Sequence, residues 1–278
     1  MKYTKEEDEF IKENYEKYGS RFCADKLNRN VDAIIAKAGR MGLKIKNKEI
    51  HPDYQKVSIN NFRNINNCYV AYFLGFFWAD GYITTYKSKN ITHWRITIEI
   101  KSDDADDIMD IFMSLGDWSI QKRKRNESWS ETTSFVTNNK ELYHFLCDND
   151  YDKKSFLEPT KILRLIPIEL QKYFWRGYFD GDGSAGLTGR GAYIEFSSTY
   201  DYEYSELINL MTDLKITTNK IYRQISKKGH KSSVNKLYGK PNVILSRYFL
   251  SCEIGLKRKN FNLNQIIKKY ETKSTSDD

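Results

Sequence analysis

The chain has 278 residues, enough for one large domain or two modest ones around a sizeable core. Lysine and arginine outnumber aspartate and glutamate by 45 to 37, and the formal charge of +8 favours a polyanionic partner whose phosphates those cations neutralise. An aromatic content of 14% argues against disorder, four scattered cysteines form no CxxC zinc pair or disulfide framework, and the longest apolar run, Val70 to Ala79, is too short to span a bilayer. The N-terminus, with Lys5, Glu6, Glu7 and Asp8, does not resemble a signal peptide. A soluble intracellular protein with free thiols and no membrane partner is expected.

Residues 1–48 read as three short helices. Thr4-Lys5-Glu6-Glu7 has capping-box spacing, and Phe10, Ile11 and Tyr15 fall on one face of the helix that follows. Tyr18-Gly19-Ser20 reads as a stop and a new N-cap, before a second helix with Phe22, Cys23 and Leu27 inside. Asn30 caps a third, whose apolar stripe is Val31, Ile34, Ile35 and Ala38. Lys37, Arg40 and Lys44 lie on or just beyond its other side. Three helices with a basic last one resemble helix-turn-helix and Myb-like modules, which implies DNA contact through those three cations. A plain three-helix bundle with a solvated basic face is the alternative. The mixed-polarity stretch from Asn47 to Asn61, with Pro52, reads as a tether, and residues 49–61 are assigned as the linker.

Residues 62–278 are assigned as one domain containing an internal repeat, with halves at about 62–165 and 166–270. The same interval separates Asp80 from Asp182, Gly75 from Gly177, Ala79 from Gly181 and Gly81 from Gly183. After each motif come strand-like segments, Tyr82–Tyr86 with Trp94–Ile100, then Gly186–Gly191 with Tyr193–Phe196. A helical pattern follows in each half: Ile108, Ile111, Phe112 and Leu115, matched by Leu207, Leu210, Met211 and Leu214. Each half then has a basic β-like region, Ser119–Val136 and Lys220–Leu237. Each ends in a basic cluster, Lys153-Lys154-Ser155-Phe156 and Lys257-Arg258-Lys259-Asn260-Phe261.

The repeated helix carries the chemistry. Gly75 and Ala79, then Gly177 and Gly181, stand at i and i+4, which makes a small-residue groove where two helix backbones approach closely. Glycine in a helix costs roughly 1 kcal/mol relative to alanine, so close packing must compensate. Each helix ends in Asp-Gly, with the glycine expected in the left-handed conformation. Helices packed side by side and parallel bring Asp80 and Asp182 together at two negative dipole ends. That pairing is unfavourable without a divalent cation, and hard oxygen ligands suit Mg²⁺. The chemistry indicated is metal-assisted hydrolysis of a phosphodiester.

These segments, Phe73-Leu74-Gly75-Phe76-Phe77-Trp78-Ala79-Asp80-Gly81 and Trp175-Arg176-Gly177-Tyr178-Phe179-Asp180-Gly181-Asp182-Gly183, resemble the two motifs of the single-chain LAGLIDADG homing endonucleases. The resemblance covers residues 62–270. It implies an α+β fold, a pseudo-twofold duplicated αββαββα domain with two antiparallel DNA-binding sheets, here preceded by the small three-helix domain. It makes Asp80 and Asp182 the metal-binding acids, with backbone contacts at Ala79 and Gly181, and adds a lysine near the scissile phosphates in each half. Alignment of the repeats puts that lysine at Lys154 and Lys259, with Lys153 and Lys257 as alternatives. Trp78 replaces the motif's sixth-position acid and Gly181 its alanine, and Asp180 is not chosen as a ligand.

Strands over duplex DNA place alternate side chains in the major groove. Arg95 and Thr97 alternate with Ile96 and Ile98, so Arg95 and Thr97 are assigned to the DNA face. Gln121, Lys122, Arg123, Lys124 and Arg125 form the densest basic run; Arg190, Arg223, Gln224, Lys227, Lys228 and Lys231 are the second-half counterparts. Asp103, Asp104, Asp106 and Asp107 follow Ser102 at a helix start, where acids favour the dipole. The expected activity is site-specific double-strand cleavage with Mg²⁺, or Mn²⁺ as substitute, by a monomer that needs no protein partner. A non-cutting DNA-binding regulator and an RNA-splicing maturase on the same scaffold stay open at this point. An intein origin is not expected, because Met1 and Ser276-Asp277-Asp278 lack the splicing nucleophile and terminal asparagine.

Overall fold

The computed structural model describes residues 3–274 apart from 46–58, 89–90, 117, 125, 128–129, 190 and 218. Most of the expected linker, including Pro52, together with Arg125 and Arg190, therefore lies outside the described residues. The chain divides into two compact units, Met1–Lys56 and Val57–Asp278.

The first unit holds α1 (Lys5–Tyr18), α2 (Ser20–Lys26) and α3 (Val31–Arg40). Thr4 and Glu7 form the reciprocal capping box at α1, and Asn30 caps α3 through the Asp32 amide. Ser20 does not cap α2. Gly19, at φ 86°, takes the N-cap position and Ser20 is the first helical residue, because the chain reverses within one residue. Ile11, Tyr15, Phe22, Cys23, Ile34 and Ala38 make the core. The stripe read on α3 is wider than that core. Ile34 and Ala38 are buried, whereas Val31 and Ile35 stay exposed.

The second unit begins with α4 (Ile59–Arg63) and then runs through the repeat. Its first half is α5 (Cys68–Asp80), β1 (Gly81–Ser88), β2 (Ile91–Lys101), α6 (Ser102–Ser114), β3 (Ser119–Arg123), β4 (Thr132–Thr137), α7 (Lys140–Asp148) and α8 (Thr160–Leu165). The second half is α9 (Gln171–Asp182), β5 (Gly183–Thr188), β6 (Gly191–Ser198), α10 (Ser205–Asp213), β7 (Asn219–Ile225), β8 (Lys231–Tyr238), α11 (Pro241–Leu250) and α12 (Lys257–Ser274). Each half makes one antiparallel four-stranded sheet with the same order, β1-β2-β4-β3 and β5-β6-β8-β7. One face of each sheet feeds a single core: Ile96, Ile98, Ile100 and Phe135 on one side, Ala185, Ile194, Phe196 and Leu237 on the other. None of the described helices is long and apolar enough to cross a membrane.

At the centre α5 and α9 pack along each other, the most extensive helix–helix contact in the chain. The glycines permit it. A Cβ at Gly75 would run into the Phe174 carbonyl, and one at Gly177 into the Tyr72 carbonyl and Phe76 amide. Nine consecutive residues of α5, Val70 to Trp78, are buried. The glycines after the acids act differently from expectation. Gly81 (φ −74°, ψ 151°) and Gly183 (φ −78°, ψ 154°) are extended, not left-handed, because each motif helix passes directly into a strand. Glycine is needed there for space, since a Cβ would strike the ring of Phe77 or Phe179.

Candidate active site

The α5–α9 pairing brings Asp80 and Asp182, the last residues of the two helices, to the same end of the interface. Gly181 leaves room for the first acid, because a Cβ there would meet the Ala79 methyl and lie 3.1 Å from Asp80 Oδ2. Asp80 is exposed at its helix end and Asp182 half-buried, and partial desolvation by the surrounding chain raises the pKa of Asp80. Burial, then the charge of Asp80, pushes Asp182 up to about 7. A recess of about 350 Å³ beside Asp80 is lined also by Glu99, Lys101, Asp104, Asp180 and Arg258.

Two lysines close the helix ends. Lys154 Nζ donates to the carbonyls of Phe77, Trp78 (2.7 Å) and Ala79, capping α5. Lys259 Nζ donates to Phe179 (3.4 Å) and Gly183, capping α9. Both are desolvated, which lowers each to about 8 against the pull of neighbouring aspartates. Their sequence neighbours are placed elsewhere. Lys257 pairs with Asp107 at 2.9 Å on α6 and its side chain is 85% exposed. Lys153 is exposed on the turn. The geometry thus separates Lys154 and Lys259 from the two alternatives. Ala79, read as a backbone metal contact, has its carbonyl engaged by Lys154.

Asp180, set aside as a ligand, has a different employment. Its Oδ2 accepts from Tyr72 Oη (2.7 Å), Arg176 Nε (3.0 Å) and the Leu256 amide (3.2 Å). Arg176, fully buried, also donates to the Phe249 carbonyl (3.0 Å) and to Asn260 Oδ1 (2.6 Å). The acids at the start of α6 do more than favour its dipole. Arg258 Nε donates to both carboxylate oxygens of Asp104 (2.7 and 2.9 Å) and Asp107 accepts from the Lys257 amide, so α6 of one half grips α12 of the other.

Residues paired across strands share a sheet face, which sorts the polar candidates. Tyr82, Thr84, Arg95, Ser134, Gln121 and Arg123 line the open face of the first sheet. Thr97 belongs to that face but is buried beside Val136, so it is not presented as expected. Lys122 is corrected too: it pairs with buried Thr133 and faces the helix side. In the second sheet the open face carries Ser184, Tyr193, Glu195, Lys236, Lys220 and Gln224. Arg223 lies on the opposite face, where it binds Glu203 at 2.6 Å and the Tyr200 carbonyl. Lys231 is on that face as well, over the Tyr200 ring at 5.7 Å. Charge density in the sequence singles out these three cations; strand parity, counted through Lys231–Tyr238, puts Lys236 on the open face, where it pairs with Glu195 at 2.5 Å. Lys124 follows β3, and Lys227 and Lys228 occupy the β7–β8 turn, all exposed.

In the first unit Lys37 is committed internally. Its Nζ lies 2.6 Å from Asp8 and 5.1 Å from the centre of the Tyr3 ring. Arg40 and Lys44 remain exposed.

Residues 169–248 match the model of the LAGLIDADG-like domain. A segment of 134 residues is 34% identical to the probable translation initiation factor IF-2 of Methanocaldococcus jannaschii, spanning 46% of this chain and only 11% of that protein. Among solved structures, the LAGLIDADG meganuclease I-AabMI bound to uncleaved DNA superposes with a TM-score of 0.50 at 11% identity, over 75% of this chain and 93% of that one. I-DmoI in complex with DNA and Mn superposes at 0.46 and 18% identity, over 66% and 97%. With two motif helices paired at the centre and one four-stranded sheet on each side, this chain carries a LAGLIDADG-like domain in its second half and has the fold of the single-chain, two-motif LAGLIDADG homing endonucleases.

Proposed function

We propose that the protein is a site-specific endonuclease that cuts both strands of duplex DNA with a divalent cation, Mg²⁺ or Mn²⁺ in its place. The observation that carries this reading is the meeting of two carboxylates, one from each half, at the paired ends of α5 and α9, where Lys154 and Lys259 cap the two helices. The donor set fits such an ion: two hard oxygen ligands, with water and phosphate oxygens to complete the shell. When bound, the cation supplies charge neutralisation and a water of lowered pKa.

The chain's own groups do the remaining work. Asp80 and Asp182 hold the cation across the pseudo-twofold interface. Lys154 and Lys259 present ammonium donors beside the acids, suited to charge developing on phosphate oxygens. On the open sheet faces, Arg95, Gln121, Arg123, Lys220 and Gln224 reach base edges or phosphates; the first kind of contact specifies and the second positions. I-AabMI is bound to DNA in its solved structure, and the shared fold supports duplex DNA as the ligand here. The first unit adds Arg40 and Lys44 to the phosphate contacts.

The test is incubation with Mg²⁺ and duplex DNA joining the two flanks of the protein's own gene, alongside a randomised duplex library. Double-strand cleavage at one long site is expected. Full cutting by Asp80→Asn or Asp182→Asn protein would sink the active site proposed. Removing residues 1–48 is expected to weaken binding and flatten its salt dependence; an unchanged slope removes that unit from the interface.

A further inference from the structure

We propose that Arg176, Asp180 and Asn260 are a positioning network for Lys259 with no counterpart in the first half, so that the cuts in the two strands can be uncoupled without touching a reacting group. The proposal rests on the endonuclease reading above. It concerns what holds the second lysine rather than what that lysine does.

Lys259 sits in the first turn of α12, and its ammonium donates to the carbonyls of Phe179 and Gly183 and lies 5.0 Å from the centre of the Phe179 ring. Its position therefore depends on what fixes that turn. Three residues around it are tied to the buried pair. The Leu256 amide donates to Asp180 Oδ2, and Asn260 Oδ1 accepts from Arg176 Nη2 at 2.6 Å. Gly255, at φ 130°, lies flat against the guanidinium, where a Cβ would collide with Arg176 Nη2 and Cζ. The pair is itself held on both sides, by Tyr72 from α5 and by the Phe249 carbonyl at the end of α11. Asp180 thus acts on Lys259 through the backbone of α12.

The first half solves the same problem without charge. Leu74 and Trp78 occupy the positions of Arg176 and Asp180 in the repeat. Tyr151 meets Trp78 edge to face with ring centres 4.9 Å apart and lies tilted against Phe77 at 5.6 Å, and its hydroxyl donates to the Leu74 carbonyl at 2.9 Å. Lys154 follows three residues later. Removing the buried charge therefore loosens one lysine and leaves the other in place.

Two variants of the full chain test this. Asp180→Asn keeps the volume and an acceptor for Tyr72 while cancelling the charge that holds Arg176. Asn260→Ala removes one bond at a half-buried position and keeps the test alive if the first variant does not fold. In the first measurement, which needs no DNA, lysine amines are pulse-acylated and quantified by mass spectrometry. Labelling of Lys259 is expected to rise about tenfold in Asp180→Asn, and less in Asn260→Ala, with Lys154 unchanged. No rise at Lys259, or a parallel rise at both lysines, overturns the proposal. In the second, a supercoiled plasmid carries the site that wild-type protein selects from a randomised library. Both variants are expected to bind with the wild-type Kd and to accumulate nicked circles with the same strand left intact as in Lys259→Met. Equal slowing of both strands overturns the proposal. If wild-type protein cuts no duplex, the endonuclease reading fails, and the labelling still decides whether the network positions Lys259.

Discussion

The two halves of the repeat reach the same arrangement at the helix ends by different means. Each has a small-residue groove, a terminal Asp-Gly and a lysine that caps its own motif helix. Behind the lysine they diverge. The first half packs Leu74, Trp78 and Tyr151, while the second buries the Arg176–Asp180 ion pair and ties it to α12. What both halves share is dictated by close approach of backbones and by the pairing of one acid from each of two chain segments. What differs is the support, where apolar packing and a buried ion pair are alternative solutions to one placement problem.

The largest expected effect lies where the halves are alike. On the proposed function, Asp80→Asn and Asp182→Asn are each expected to slow cleavage by about a thousandfold or more, since either would remove an anchor of the same ion. A variant that retains near wild-type rates breaks the equivalence. The next effect separates the halves. Arg176→Met leaves Asp180 buried without its counter-ion and is expected to cost roughly 3–5 kcal/mol. The matching Leu74→Met conserves volume and should cost less than about 1.5 kcal/mol. Equal losses in urea denaturation would show that the ion pair carries no special burden.

Gly75→Ala and Gly177→Ala force a methyl into a facing backbone, and each is expected to destabilise by about 1–3 kcal/mol. Similar values support a symmetric interface; a neutral result on one side contradicts it. The acids can also be read through pH. Asp182 is raised from 3.8 to about 7, so folding favours its protonated form and this group's contribution weakens as pH rises between those values. Lys154 and Lys259 are lowered from 10.5 to about 8, so folding favours their neutral forms and stability returns as pH rises from 8 towards 10.5. Metal-free protein should therefore be weakest near pH 7–8. There Asp182→Asn should raise the Tm by on the order of a few degrees, a gain that shrinks towards pH 5. A pH-independent gain excludes relief of charge as its cause. The smallest effect serves as a control in the other unit. Gly39 on α3 has open space at its Cβ position, and Gly39→Ala should stabilise by about 0.5–1 kcal/mol.

Much of this was legible in the chain. Spacing alone exposed the duplication, the helix grooves and the acids that end them, because those features are local and repeated. The helix caps at Thr4 and Asn30 were equally readable, as each is set by a few neighbouring residues. The polar surface was less so. Charge density points to Lys122, Arg223 and Lys231, yet strand register turns all three to the helix side, and the register depends on pairing partners far along the chain. Lys37 looked free until Asp8 was brought against it by the packing of α1 on α3.

By itself, then, the sequence determined the repeat, the helical and strand-like segments of each half and the residue types gathered at the helix ends, since periodicity and small-residue spacing are properties of the local chain; the α+β architecture came with the family resemblance those motifs carry. Only the tertiary structure decided which lysine of each cluster faces the acids, which sheet face each cation occupies, and that Asp180 is a buried anchor. These depend on contacts across long stretches of chain: Lys154 with the end of α5, Lys259 with the end of α9, and Tyr72 with Asp180 across the helix pair. No local pattern encodes them, because each is fixed by the packing of two segments that the sequence keeps apart.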